Sequence, residues 1–269
     1  MSDVIAKTRD TVFRADPLIV FEDVTLVLGG REILKQINLS VRLGEFLCII
    51  GPSGCGKTTM LRLIAGLLTP TSGKVSYNGQ PVTEPNPEIA VLFQDYVKAL
   101  LPWRTAAENV SLPLEAARVP KRMRPDRIKE LLHLVGLAQH ADKYPSQLSG
   151  GMQQRVQIAR CLAQNPVVLL MDEPFGALDA MTRQTLQDEL QQLAAASGCT
   201  IVFVTHDLEE AVYLGDRVLG LLPYPGRVGE EFPVNIQRPR NQLTTPVCAE
   251  FLDLRQELYR FIKDEEAGA

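Results

Sequence analysis

The chain has 269 residues, 45% hydrophobic and 22% charged, which is the balance of a globular protein long enough to bury a large core. Its net charge of −4 speaks against a protein that coats nucleic acid, and no apolar run approaches the ~18 residues that cross a bilayer. The five cysteines (Cys48, Cys55, Cys161, Cys199 and Cys248) form no CxxC pair, which argues against a disulfide framework or a zinc site and fits a reducing compartment.

Residues 1–16 read as a charged tail, with Asp3, Lys7, Arg9, Asp10, Arg14 and Asp16 and no secretory apolar region. Residues 18–21 and 24–28 predict strands, Gly29-Gly30 a turn, and 33–43 a further strand. The run 46–50 is apolar throughout and ends at Gly51, as a strand covered on both faces of a parallel sheet would. After it, residues 57–68 place Met60, Leu61, Ile64, Leu67 and Leu68 at helical spacing. Pro and Gly clusters at 69–73, 81–87 and 223–229 predict loops. Residues 96–163 read as mostly helical, with Ile128, Leu131, Leu132 and Val135 on one face of a helix over 126–137. A second apolar run, 167–171, ends at Asp172 and Glu173. Residues 179–197 carry Leu186, Leu190 and Leu193, and a third run, 201–204, ends at Thr205 and His206. Val247, Phe251, Leu254, Leu258 and Phe261 mark an amphipathic C-terminal helix, too short for a coiled coil and expected to pack on its own domain. Strand–helix alternation of this kind predicts an α/β fold with ligands beyond the carboxyl ends of the strands.

The residues at the first of those ends carry chemistry. Gly51-Pro52-Ser53-Gly54-Cys55-Gly56-Lys57-Thr58 fits G-x-x-x-x-G-K-[ST], and Thr59 follows it. Glycines let the backbone N–H groups turn toward phosphate oxygens, and the next helix offers its positive N-terminus. Lys57 would reach the β- and γ-phosphates, and the Thr58 hydroxyl would ligate Mg²⁺. At the second end, Asp172 is placed to hold Mg²⁺ through water and Glu173 to face the water that attacks the γ-phosphate. At the third end, His206 is either a γ-phosphate contact or a structural hydrogen-bonder, and Thr205 and Asp207 beside it favour the first reading.

Leu148-Ser149-Gly150-Gly151-Met152-Gln153-Gln154-Arg155 resembles the signature motif of ATP-binding cassette (ABC) ATPases. Its place between Lys57 and Asp172 is the family's order. Gln94 resembles the Q-loop glutamine, Ala177-Leu178-Asp179 the D-loop and His206 the H-loop, and the likeness runs from about Leu18 to Ile262. The resemblance implies a phosphate-loop NTPase cassette over 17–264. It would have a RecA-like core with an N-terminal antiparallel β subdomain (about 17–95 and 164–230), an α-helical signature subdomain (about 96–163) and a C-terminal helix (about 246–264). It also implies two cassettes paired head to tail, identical or paralogous, with ATP between the phosphate loop of one and the signature of the other. Ser149, Gly150 and Gly151 would then bind the partner's nucleotide, and Asp179 would couple the two sites. Glu173 would be the general base, Gln94 would touch Mg²⁺ and sense a bound partner, and His206 would hold the γ-phosphate.

Two positions depart from the family's pattern. Leu28 stands where an aromatic ring often stacks on adenine, so the contact there becomes a plain apolar one; either affinity for ATP is lower, or Phe13 or Phe21 covers the base. Met152 replaces a common Gln, a variant like that of the branch serving nitrate, sulfonate and taurine importers. Within the phosphate loop, Cys55 is either a small residue that suits the turn or a thiol activated by the helix N-terminus. The stretch from Asp95 to Val110, with Leu100-Leu101-Pro102-Trp103, resembles importer cassettes of the nitrate, sulfonate and bicarbonate branch. Trp103 is either a packed aromatic or a lining of the groove that receives membrane subunits. The basic residues Arg118, Lys121, Arg122, Arg124, Arg127 and Lys129 form either a solvated face or a contact with acidic headgroups or a partner. The resulting expectation is the ATP-hydrolysing subunit of an importer for a small solute, peripheral on the cytoplasmic face of the membrane. Separate permease subunits and an external solute-binding protein would complete it. The alternatives are an ABC ATPase without a transport role and a non-hydrolysing scaffold.

Overall fold

The structure, a computed structural model, describes residues 17–93, 99–176 and 178–267. Its first sheet is antiparallel, with the order β2-β1-β4-β5 formed by β1 (Ile19–Leu28), β2 (Arg31–Val41), β4 (Ser72–Tyr77) and β5 (Gln80–Pro81). The two runs expected at 18–21 and 24–28 are one strand. Phe21 and Val24 both face inward although they lie three positions apart, which breaks the period of two. A bulge absorbs the extra residue: the pairing with β2 shifts between Phe21 and Val24, and Asp23 takes a positive φ of 47°.

The second sheet has the order β10-β9-β3-β8-β7-β6. It comprises β3 (Phe46–Ile50), β6 (Ile89–Leu92), β7 (Val168–Asp172), β8 (Thr200–Val204), β9 (Arg217–Leu222) and the antiparallel edge strand β10 (Arg227–Pro233). All the other pairings are parallel. The three apolar runs of the sequence are β3, β8 and β7, consecutive neighbours at the centre. Their continuous hydrophobicity follows from burial on both faces. Phe46, Cys48, Ile50, Leu169, Met171, Ile201 and Phe203 join the core shared with the helices. Leu47, Ile49, Val168, Leu170, Val202 and Val204 join the core shared with the antiparallel sheet and α1 (Lys57–Ile64).

Several helices end earlier than their apolar spacing predicts, for a backbone reason. Helix α1 stops at Ile64 because Gly66 turns into the left-handed region against the Glu84 carbonyl, and Leu67 is left exposed. Helix α3 (Arg124–Leu134) likewise ends before Gly136, which has a φ of 67°. Helices α2 (Ala106–Ala116) and α4 (Gly150–Ala163) complete the helical stretch. Helix α5 (Ala180–Ser197) and the short α6 (Leu208–Leu214) follow β7 and β8. At the C-terminus, α7 (Ala249–Ala267) buries Phe251, Leu254 and Leu258, while Val247 precedes the helix and stays exposed. The amphipathic face therefore packs on the chain itself, and the helix starts two residues after Val247, where the apolar pattern began.

Candidate active site

Because β3, β8 and β7 are adjacent and parallel, their carboxyl ends deliver Gly51, Thr205 and Glu173 to one edge of the sheet. The loop 51–56 wraps there because two positions admit no side chain. A Cβ on Gly51 would lie 2.7 Å from the Leu221 carbonyl oxygen, and Gly56 (φ 98°) abuts Leu34. An open cleft results, lined by Ile33, Gly51, Ser53, Gly54, Gly56, Lys57, Thr58, Thr59, Glu173 and His206. Nine of the sequence-predicted site residues thus share one cavity.

The polar contacts inside the cleft suit an anion and a hard cation. The Lys57 ammonium is buried and donates to the carbonyls of Gly51 (2.7 Å) and Pro52 (3.0 Å), and it forms no ion pair with a carboxylate of the described residues. The Thr58 hydroxyl donates to Asp172 Oδ2 at 2.7 Å, pairing two oxygens of the type Mg²⁺ prefers. Burial pushes the Asp172 carboxyl up from the usual range, the Thr58 hydrogen bond opposes this, and the Glu173 charge adds to it. A bound cation would relieve that cost. Glu173 has a φ of 48°, and its carboxylate lies 3.3 Å from His206 Nδ1. Its N–H donates to the Val204 carbonyl, which fixes the turn after β7 to the end of β8.

Cys55 is fully buried, and burial pushes its thiol up despite the Lys57 charge beside it. The activated-thiol reading is therefore overturned: a low-dielectric surround outweighs the helix terminus. Alkylation of Cys55 by iodoacetamide in the folded chain should be at least ~10-fold slower than that of the partly exposed Cys248, as peptide mapping against time would measure. Phe21 is also corrected as a cover for the base, because it is a core residue of the antiparallel sheet. Leu28 is 43% exposed and stands outside the cleft lining. Phe13, Gln94 and Ala177 lie outside the described residues.

The signature residues sit apart from this cleft. Ser149 caps α4 by accepting from the Met152 N–H (3.3 Å), and Gly150 opens the helix. Asp179 caps α5 by accepting from the Thr182 N–H (3.0 Å). Neither these residues nor Gly151 lines the cleft of the same chain. Two links to the cleft escaped the sequence reading. Gln154 is buried, and its amide donates to the Pro174 carbonyl, which ties the signature helix to the turn that carries Glu173. Arg183 lies 3.6 Å from Asp207 and 3.8 Å from Glu210, which ties the helix capped by Asp179 to the segment carrying His206. A polar residue at a core position of a helix, as Gln154 is, is the signal that could have revealed the first link.

Trp103 is 69% exposed, so it is no packed core aromatic. Its segment is nonetheless held firm. The buried Asn109 accepts from the Leu101 N–H and donates to the carbonyls of Leu101, Arg104 and Thr105. Within the basic cluster, Arg124 donates to the Val119 carbonyl and approaches Glu115 (3.9 Å), and Arg127 pairs with Glu130 at 2.8 Å.

The family model described as "ABC transporter" matches residues 34–176. An ABC transporter ATP-binding protein of Methanocaldococcus jannaschii, MJ0412, is 49% identical over 238 residues, covering 88% of this chain and 87% of that one. The nitrate import ATP-binding protein NrtC of Synechococcus elongatus is 48% identical over 88% of this chain, which spans only 36% of NrtC. The bicarbonate transport ATP-binding protein CmpD of Synechocystis is 46% identical over 80% of this chain and 76% of its own length. Among solved structures, the dimeric ABC transporter cassette MJ0796 superposes with a TM-score of 0.74 at 37% identity. The match covers 81% of this chain and all of that one.

Proposed function

The chain belongs to the ABC transporter family of ATP-binding proteins, and on that premise we propose that it powers an importer whose membrane-spanning parts lie on other chains. As a member it is an ATPase. The observation that carries the reading is the gathering of the phosphate loop, Glu173 and His206 around one cleft. Phosphoryl transfer demands positioning and charge stabilisation more than covalent chemistry from the protein, and this cleft supplies both.

In the proposed mechanism the loop N–H groups and Lys57 hold the β- and γ-phosphates. The phosphate oxygens would replace the Gly51 and Pro52 carbonyls as partners of the Lys57 ammonium. Glu173 takes the proton of the attacking water, and His206, beside it, steadies the γ-phosphate. Thr58 and Asp172 would hold Mg²⁺, with Gln94 as a further contact, and the ion would offset charge between the β- and γ-phosphates. Ser149, Gly150 and Gly151 complete the site of a second cassette in a head-to-tail pair. Their position outside the cleft of their own chain supports this, as does the dimeric cassette MJ0796. Gln154 and Arg183 then couple signature and D-loop to the catalytic edge.

The solute we propose is small, of the nitrate, sulfonate, taurine or bicarbonate type. The likeness to NrtC and CmpD supports it, since those are nitrate and bicarbonate proteins. None of the described helices is long and apolar enough to cross a membrane. Attachment to the cytoplasmic face would therefore run through permease subunits, with Trp103 in the docking groove. Co-expression with the permease and solute-binding subunits of a nitrate-type importer tests this. The chain should sediment with membranes and hydrolyse ATP in response to solute. Trp103→Ala should cut the membrane-bound fraction about tenfold or more, the loss of one exposed aromatic anchor, while ATP binding stays within twofold. A fully soluble distribution with all partners present would defeat the transport reading.

A further inference from the structure

The turn between β9 and β10 holds a residue that no role above uses. Tyr224 is 73% exposed, the highest value for any aromatic ring among the described residues. Its φ is 49°, in the left-handed region that a bulky side chain rarely adopts. The turn is not loose. The Gly226 N–H donates to the Ile33 carbonyl, and the Gly226 carbonyl accepts from the Lys35 N–H, both at 2.9 Å. Gly226 itself presses on the Cys55 carbonyl so closely that a Cβ would not fit. The turn is therefore clamped between β2 and the phosphate loop. The Tyr224 hydroxyl lies 3.8 Å from where a Cβ on Gly54 would be.

We propose that Tyr224 packs against the nucleoside of the bound nucleotide and that its ring, not a residue at the end of β1, is the aromatic contact for the base. The inference rests on the reading of the cleft as an ATP site. Among the described residues the cleft is lined mainly by polar groups and glycine backbone, with Ile33 as the one bulky apolar side chain, and that serves phosphates but not a purine. Leu28 offers no ring, and Phe21 is sealed in the core. Tyr224 stands beside Gly54 of the cleft lining, in the turn whose Gly226 makes two hydrogen bonds with the strand that carries Ile33. A strained backbone conformation is retained where it serves a contact, and among the described residues no hydrogen bond or ring contact of the Tyr224 side chain repays it.

Calorimetric titration of the purified full chain with ATP and, separately, with inorganic triphosphate tests this. Tyr224→Asn keeps a residue that tolerates the left-handed conformation but removes the ring. Its Kd for ATP should rise roughly 5- to 150-fold, the worth of one base–aromatic stack. Its Kd for triphosphate, which has no base, should stay within twofold. Tyr224→Phe should bind ATP as the parent does. Unchanged ATP affinity in Tyr224→Asn would overturn the inference, and so would an equal loss for both ligands, which would mean that Tyr224 only shapes the phosphate loop. A parent chain that binds neither ligand would instead refute the nucleotide site itself.

Discussion

Glu173→Gln should lower ATP hydrolysis about 10²- to 10⁴-fold, the usual worth of a positioned general base, while ATP stays bound. The substitution is nearly isosteric, so the turn at φ 48° and the contact with His206 Nδ1 can both persist. What disappears is the capacity to accept a proton from water. Two linked outcomes follow from the proposed pairing of cassettes. With hydrolysis blocked, ATP should hold two chains together, and size-exclusion chromatography with ATP should show a dimer that the parent chain passes through only transiently. A release assay for phosphate measures the first effect. If Glu173→Gln hydrolysed ATP within threefold of the parent rate, the base would have to be another residue.

Lys57→Ala should weaken ATP binding by about 10²-fold or more, because two or more charge-assisted hydrogen bonds of ~1.5–3 kcal/mol each are lost together. The ammonium is buried, and among the described residues its partners are the Gly51 and Pro52 carbonyls and the Cys55 thiol, so it stands ready for phosphate. Lys57 and Gly51 line an open cleft, so water can take the place of the ammonium beside the freed carbonyls and the fold should survive. Circular dichroism should match that of the parent, and equilibrium binding of a fluorescent ATP analogue reads the loss. Retained affinity within fivefold would show that the loop binds its ligand without this charge. The two variants also separate two functions of the cleft: one loses turnover with affinity kept, and the other loses affinity first.

Much of this was legible in the order of residues. The phosphate loop could be read because its demands are local: glycines where no Cβ fits, then Lys57 and Thr58 at a helix start. The central strands could be read because burial on both faces leaves an uninterrupted apolar run. Strand β1 could not be read as one element, because a bulge at Asp23 disguises its alternation. Helix ends were misjudged where apolar spacing ran past a glycine, as at Gly66 and Gly136, since spacing reports a face and not the backbone that terminates it. The state of Cys55 was open for a similar reason. A helix N-terminus is visible in sequence, but the burial that outweighs it comes from the core that Cys55 joins with the antiparallel sheet and α1.

The chain of 269 residues therefore determined by itself which chemical groups are present and in what local frames. It supplied a phosphate-binding turn, two acids and a histidine at strand ends, and a signature run at the head of a helix. Only the tertiary structure decided which of these meet. The order β3-β8-β7 sets Gly51, Thr205 and Glu173 side by side, although more than 120 residues separate the first from the nearest of the others. The same packing keeps Ser149 to Gly151 out of that cleft, seals Phe21 in the core and leaves Tyr224 exposed beside Gly54. The reason is physical: side-chain identity and periodicity are properties of neighbouring residues, whereas strand order and burial come from contacts between distant ones.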